Sequence, residues 1–106
     1  MKSQQKLLLK PQLIKTDGQV EEFLPANGKK FSLKELQKVV GGLIQIVPLP
    51  SGNSLVCNDE GKLMGLPENE EASRLWQREY PIEQYSHNND GLVVGDVIVS
   101  APKYLR

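Results

Sequence analysis

The residues that could carry out chemistry are few and widely spaced along this 106-residue chain. The one histidine, His87, lies in a polar loop without a second histidine or a cysteine nearby, so it cannot make a zinc site. The one cysteine, Cys57, follows Val56 in a predicted strand, where a small buried side chain is a better interpretation than a nucleophile. No nucleophile is accompanied by a base and an orienting group. We therefore expect no enzymatic activity, no metal site and no cofactor.

Several carboxylates cluster in the sequence without indicating a catalytic pair. They fall in a predicted turn and at a predicted helix start, and both places favour acidic residues for local reasons. The residues are Asp59, Glu60, Glu68, Glu70 and Glu71. We interpret them as structural.

Aromatic and arginine residues in the second half of the chain offer the best candidate for a contact surface, because these residue types are enriched at interfaces. The candidate binding residues are Arg74, Trp76, Arg78, Tyr80 and Tyr85. Two interpretations stay open. The second helix and the loop after it recognise a partner or ligand, or Trp76 and Tyr80 simply complete the core.

Asp96 is a further candidate binding residue. With Gly95 it interrupts the last predicted strand, 92–99, where we expect a bulge or a sharp twist. An acid at this place can face solvent, cap the bulge or take part in recognition. The sequence leaves these roles open.

The first predicted helix has clear start and stop signals in the sequence. Ser32 can accept from the backbone N–H of Glu35, whose side chain can reach back to Ser32, which is a capping box. Phe31 and Leu36 can pack together as a hydrophobic staple. Gly41 ends the helix because a residue without Cβ adopts the left-handed conformation at no steric cost.

The remaining signals predict a sheet and a second helix. Thr16-Asp17-Gly18 is a hairpin turn, and Asn69 caps a helix over residues 70–80. The run 43–49 is almost continuously apolar, so we expect a central strand covered on both faces. The order β-β-α-β-β-α-β predicts an α+β fold: a mainly antiparallel sheet of about five strands, with two helices packed on one side.

Composition restricts the organisation and the partners. The length predicts a single domain, residues 12–106, preceded by a basic N-terminal arm, residues 1–11. A net charge of zero makes a nucleic-acid partner a poor interpretation, and no apolar run is long enough for a membrane span. A lone cysteine favours a reducing cytoplasm.

The charge is divided unevenly between the two parts of the chain. Residues 1–40 carry eight lysines against four acids, a balance of +4, and residues 41–106 carry five basic against nine acidic residues, a balance of −4. The division fits two solvated faces of opposite sign. It also fits self-association through opposite patches, most simply as a dimer.

Several runs of the chain, in order, resemble a family of small proteins of unknown function carried by bacteriophages, plasmids and Gram-positive or gut bacteria. The runs are IKTDGQVEE (14–22), VVGGLIQIVPL (39–49), VCNDEGKLMGLP (56–67) followed by Asn69, and VGDVIV (94–99). The similarity covers about residues 12–100. The chain departs from the family in its longer arm, 1–11, and in an inserted-looking segment, 80–89.

The resemblance implies an accessory protein of a mobile element in the bacterial cytoplasm, and it supplies no catalytic residues. The expected function is that of a non-catalytic binding protein which inhibits host defence by sequestering a small ligand or by blocking a host or phage protein. The alternative is a structural or regulatory interaction module in a replication or transfer complex.

Overall fold

The computed structural model describes residues 10–79 and 92–105. Five strands and two α-helices follow one another in the order β-β-α-β-β-α-β, which confirms the predicted α+β fold. They are β1 (Gln12–Ile14), β2 (Val20–Glu22), α1 (Leu33–Val40), β3 (Ile44–Pro48), β4 (Ser54–Asn58), α2 (Glu70–Glu79) and β5 (Val97–Ser100). A short 3-10 helix, Pro102–Tyr104, follows β5.

The strands form one open sheet in the order β2-β1-β5-β4-β3, and every neighbouring pair is antiparallel. The prediction that the 43–49 run is central was wrong: β3 lies at an edge. The central strand is β5, all four residues of which are buried. The chain reaches β5 last and inserts it between β1 and β4, so an apolar run alone could not show which strand lies inside.

The two helices lie on opposite faces of the sheet, which corrects the expectation that both pack on one side. Successive strand residues point to opposite faces. In β5, Val97 packs in a cluster with Ala72 of α2, whereas Ile98 packs with Leu36 and Val40 of α1. Because adjacent residues of the inner strands are both buried, each face of the sheet needs its own helix. We call the face covered by α1 the α1 face and the face covered by α2 the α2 face.

Helix α1 begins and ends as its sequence predicts. Ser32 accepts from the Glu35 N–H at 3.1 Å, and the Glu35 carboxylate accepts from the Ser32 N–H at 2.7 Å. Phe31 and Leu36 are buried in the same cluster. Gly41 has φ 82°, a left-handed conformation that ends the helix.

Helix α2 is fixed by a buried asparagine. The Asn69 side-chain oxygen accepts from the Ala72 N–H at 3.0 Å, which confirms the predicted cap. Its amide nitrogen donates to the carbonyls of Ile14 and Gly95, both at 2.9 Å. One side chain thus holds the start of α2 against the end of β1 and the segment before β5.

Candidate functional site

A cleft of about 300 Å³ opens on the α2 face, over the β3–β4 half of the sheet. Helix α2, strands β3 and β4, the turn after β4 and the segment before β5 all contribute to it. We call it the α2 cleft. It is lined by Gln45, Val47, Leu55, Cys57, Asn58, Asp59, Glu60, Gly61, Lys62, Leu63, Trp76, Leu92, Val93 and Val94.

The cleft joins an apolar floor to a polar rim. Val47, Leu55 and Trp76 belong to the cluster under α2 and supply apolar surface. The odd-numbered residues of β3 and β4 face this side because strand side chains alternate. Gln45 and Asp59 are exposed and bring polar groups to the opening. An apolar wall with a few polar groups is the usual composition of a small-molecule site.

The turn after β4, residues 59–65, forms one side of the cleft, and we call it the rim loop. Buried Asn58 holds it in place: its side-chain oxygen accepts from the Glu60 N–H at 2.7 Å, and its amide donates to the Val40 carbonyl at 3.0 Å. Gly61 is buried so close to Val94 that a Cβ would lie 2.8 Å from a Val94 methyl, so only glycine fits.

Cys57 lies in the cleft, but its thiol is not activated. Burial, with a smaller contribution from the charge of Asp59, raises its pKa from 9.0 to about 11. The thiol lies 3.9 Å from the Gln45 side-chain oxygen, to which it can donate a weak hydrogen bond. A neutral thiol is a poor nucleophile, so Cys57 contributes surface to the cleft and not catalysis.

The predicted arginine and tryptophan candidates do not converge on one place. Arg74 pairs with Glu70 at 3.5 Å and Glu71 at 2.9 Å on the exposed side of α2. Trp76 lines the α2 cleft and is half-buried against the core. Arg78 lines a second cavity of about 230 Å³ on the β1 side of the helix.

Asp96 has a structural contact, and two other candidates cannot be placed. The Asp96 carboxylate accepts from the Thr16 N–H at 3.0 Å, so it ties the β1–β2 turn to the segment before β5. Tyr80 and Tyr85 lie outside the described residues, as does His87.

Within residues 10–79 and 92–105, no group of three or more histidine, cysteine or carboxylate side chains is placed to hold a metal ion. In the same part of the chain, no helix has the length and apolar character needed to cross a membrane.

Sequence reasoning missed most of the cleft. Leu63 and Leu92 line it as exposed apolar residues, and each comes directly after a polar stretch of sequence. That contrast was the available signal. Gln45, the one polar residue in the apolar 43–47 run, was a second signal, but it became informative only once β3 was known to be an edge strand.

A five-stranded antiparallel sheet covered by one helix on each face, with a cleft beside the second helix, defines a small α+β protein. The chain belongs to the family DUF3846, a domain of unknown function, whose model matches residues 10–103. Neither a curated protein nor a solved structure matches the chain.

Proposed function

We propose that this protein is a non-catalytic binding protein and that the α2 cleft holds its ligand. The observation that carries the proposal is that the cleft has an apolar floor, which includes Trp76, and polar groups at its opening. Because the Cys57 thiol stays protonated near neutral pH, the cleft offers no activated nucleophile. Binding, not turnover, is the chemistry that these residues support.

The cleft also suggests a class of ligand. Its volume of about 300 Å³ suits a small molecule with a flat, largely apolar body. Two carboxylates at the rim, Asp59 and Glu60, outnumber the single Lys62. A neutral or cationic heteroaromatic compound therefore fits better than a phosphate or another anion.

Tryptophan fluorescence tests the proposal, because Trp76 is the one tryptophan of the chain. Neutral, cationic and anionic heteroaromatic fragments are titrated against the protein. We expect saturable changes in Trp76 emission with neutral or cationic fragments. Val47→Phe fills the cleft and should abolish these changes.

Ile46→Phe is the matched control. Ile46 is the neighbour of Val47 in β3 but points to the α1 face, so its substitution leaves the cleft open. Fragment binding that survives Val47→Phe, or that is lost equally in both variants, would contradict a site in the α2 cleft.

We further propose that the protein is an accessory of a phage or related mobile element and acts in the bacterial cytoplasm, where it sequesters a ligand or blocks a protein of host defence. The support is the ordered resemblance of its sequence runs. Phage plating on hosts that carry a defence system tests this role: expression of the wild-type protein should restore plaques and the Val47→Phe variant should not. Unchanged plating across defended hosts would count against it.

One observation favours the alternative of a structural or regulatory interaction module in a replication or transfer complex. Strand β3 is an apolar edge of the sheet, and such edges can pair with another strand.

A further inference from the structure

The outer edge of β3 presents backbone groups ready for pairing. The Leu43 carbonyl accepts from the Asp59 N–H, and the Leu49 N–H donates to the Asn53 carbonyl, both at 2.8 Å. Antiparallel ladders alternate, so the odd-numbered residues of β3 bond to β4. Ile44 and Ile46 therefore turn their N–H and C=O groups away from β4, and no strand of the described chain lies on that side.

The two edges of the sheet differ in their side chains. At the β2 edge, Glu21 pairs with Lys15 at 3.3 Å and Glu22 pairs with Lys10 at 3.8 Å. Charged side chains on an edge strand discourage pairing with another chain. Strand β3 carries no charge, and Ile46 is 37% exposed. Only the β3 edge is suited to accept another strand.

We propose that two copies of this chain pair their β3 edges antiparallel about a two-fold axis at Gln45, joining two five-stranded sheets into one of ten strands. In this register Ile44 lies opposite Ile46 of the other copy. By symmetry, Ile46 lies opposite Ile44 of the other copy. Each of these two pairs exchanges two backbone hydrogen bonds, which gives four bonds in all. None of them needs an N–H group from Pro48, which proline lacks. A closed two-fold pairing is the commonest form of homo-oligomer.

The side chains of β3 are self-complementary in the same register. On the α1 face, the partly exposed isoleucines 44 and 46 of the two copies cover each other. On the α2 face, Leu43, which is 56% exposed, meets Val47 of the other copy. Because no β3 side chain is charged, the second copy meets no like charge, and a copy of β3 satisfies both the backbone and the side chains.

The pairing would also complete the α2 cleft. Gln45 and Val47 line the cleft of their own copy and lie beside the two-fold axis. Leu43 and Gln45 of the second copy would then form an outer wall. The dimer itself does not depend on the proposed function, since it rests on the β3 edge alone.

Opposite charges do not explain such a dimer. Lysines 29, 30, 34 and 38 lie on α1 or in the loop before it, whereas Glu70, Glu71 and Glu79 lie on α2, across the sheet. Attraction between opposite sides of a molecule favours head-to-tail stacking and not a closed two-fold pair. Pairing through β3 should therefore resist salt.

Disulfide trapping tests the register directly. At Gln45 the two strands form a non-hydrogen-bonded pair, with Cα atoms about 4.5 Å apart, within the range of about 4.4–6.8 Å that a disulfide spans. Gln45→Cys is made with Cys57→Ala, because Cys57 is the neighbour of Gln45 in β4. Mild oxidation should give a covalent dimer. Val20→Cys in the same background, on the other edge, should not.

Light scattering on the unmodified protein gives the second readout. We expect a mass of about 24 kDa, twice the 11.8 kDa chain, that persists in about 1 M salt, where charges more than roughly 3 Å apart are screened. Ile46→Lys should give a monomer with an unchanged circular dichroism spectrum, and Val20→Lys should stay dimeric.

A strict monomer at high protein concentration would overturn the proposal and leave the β3 edge to a strand of another protein. A dimer that dissociates in salt, or one that Gln45→Cys does not trap, would overturn it as well. If Ile46→Lys fails to fold, the trapping result decides, because it uses a folded protein.

Discussion

Cys57 shows how surroundings decide the chemistry of a side chain. The residue is partly buried and packs against the core under α2. Burial disfavours the thiolate, and the nearby negative charge of Asp59 adds to this, so the pKa rises to about 11. The same thiol in an unfolded chain would ionise near its ordinary pKa of 9.0.

Alkylation by iodoacetamide should reveal this difference. At about pH 9, the native thiol should react roughly 50-fold more slowly than the thiol of the urea-unfolded chain, because only the thiolate reacts. Stability should also fall as the pH rises from 9.0 to about 11, since only the unfolded state loses the proton in that window. Cys57→Ala serves as the control and should lack this fall. Equal alkylation rates in the two states would show that the thiol is not shielded.

At the scale of single elements, α1 depends on its first turn. The Glu35 carboxylate accepts from the N–H groups of Ser32 and of Ala26, the latter at 2.8 Å. These bonds, that from Ser32 first, lower the pKa of Glu35. Because the ionised form is favoured in the folded state, this contribution to stability is present above the ordinary pKa of 4.5 and is lost as the pH falls below it.

Ser32→Ala should reduce the free energy of unfolding by about 1 kcal/mol, because the Glu35 N–H loses its acceptor. Urea unfolding measures the change. Lys34→Ala, on the exposed side of the same helix, is the control and should change stability little. Wild-type stability in Ser32→Ala would mean that the cap does not hold the helix start.

The start of α2 should be more sensitive, because Asn69 is fully buried and makes three hydrogen bonds. Asn69→Leu would leave the carbonyls of Ile14 and Gly95 without this donor. We expect a loss of at least about 2 kcal/mol in the free energy of unfolding.

Asn27→Ala is the matched control for Asn69→Leu. The side chain of Asn27 likewise bonds to the backbone, accepting from the N–H groups of Lys29 and Lys30, but it lies in an exposed loop. If Asn69→Leu and Asn27→Ala lower the free energy of unfolding by the same amount, the burial of Asn69 is unimportant.

At the scale of the whole molecule, the sequence predicted local features such as caps and turns. It did not predict how elements distant in the chain are arranged. The capping box at Ser32, the turn at Asp17 and the cap at Asn69 depend on residues close in the chain, and each was predicted. The position of β5 between β1 and β4 depends on contacts across some 80 residues, as between Asp96 and Thr16. The pattern of apolar residues within a single segment cannot predict this position in the sheet.

The same limit applies to the candidate binding residues, which were chosen by residue type. Residue type suggested that Arg74, Trp76 and Arg78 act together, yet the turns of α2 direct them to solvent, to the cleft and to the β1 side. The cleft is instead assembled from β3, β4, the rim loop and the segment before β5. Its residues become neighbours only after the sheet has formed.

A crystal structure of the protein soaked with the tightest-binding neutral or cationic fragment tests the central claim most directly. We predict density for the fragment in the α2 cleft, in contact with Val47 and Trp76 and bordered by the rim loop. Density at another surface with the α2 cleft empty would contradict the claim that this cleft is the binding site.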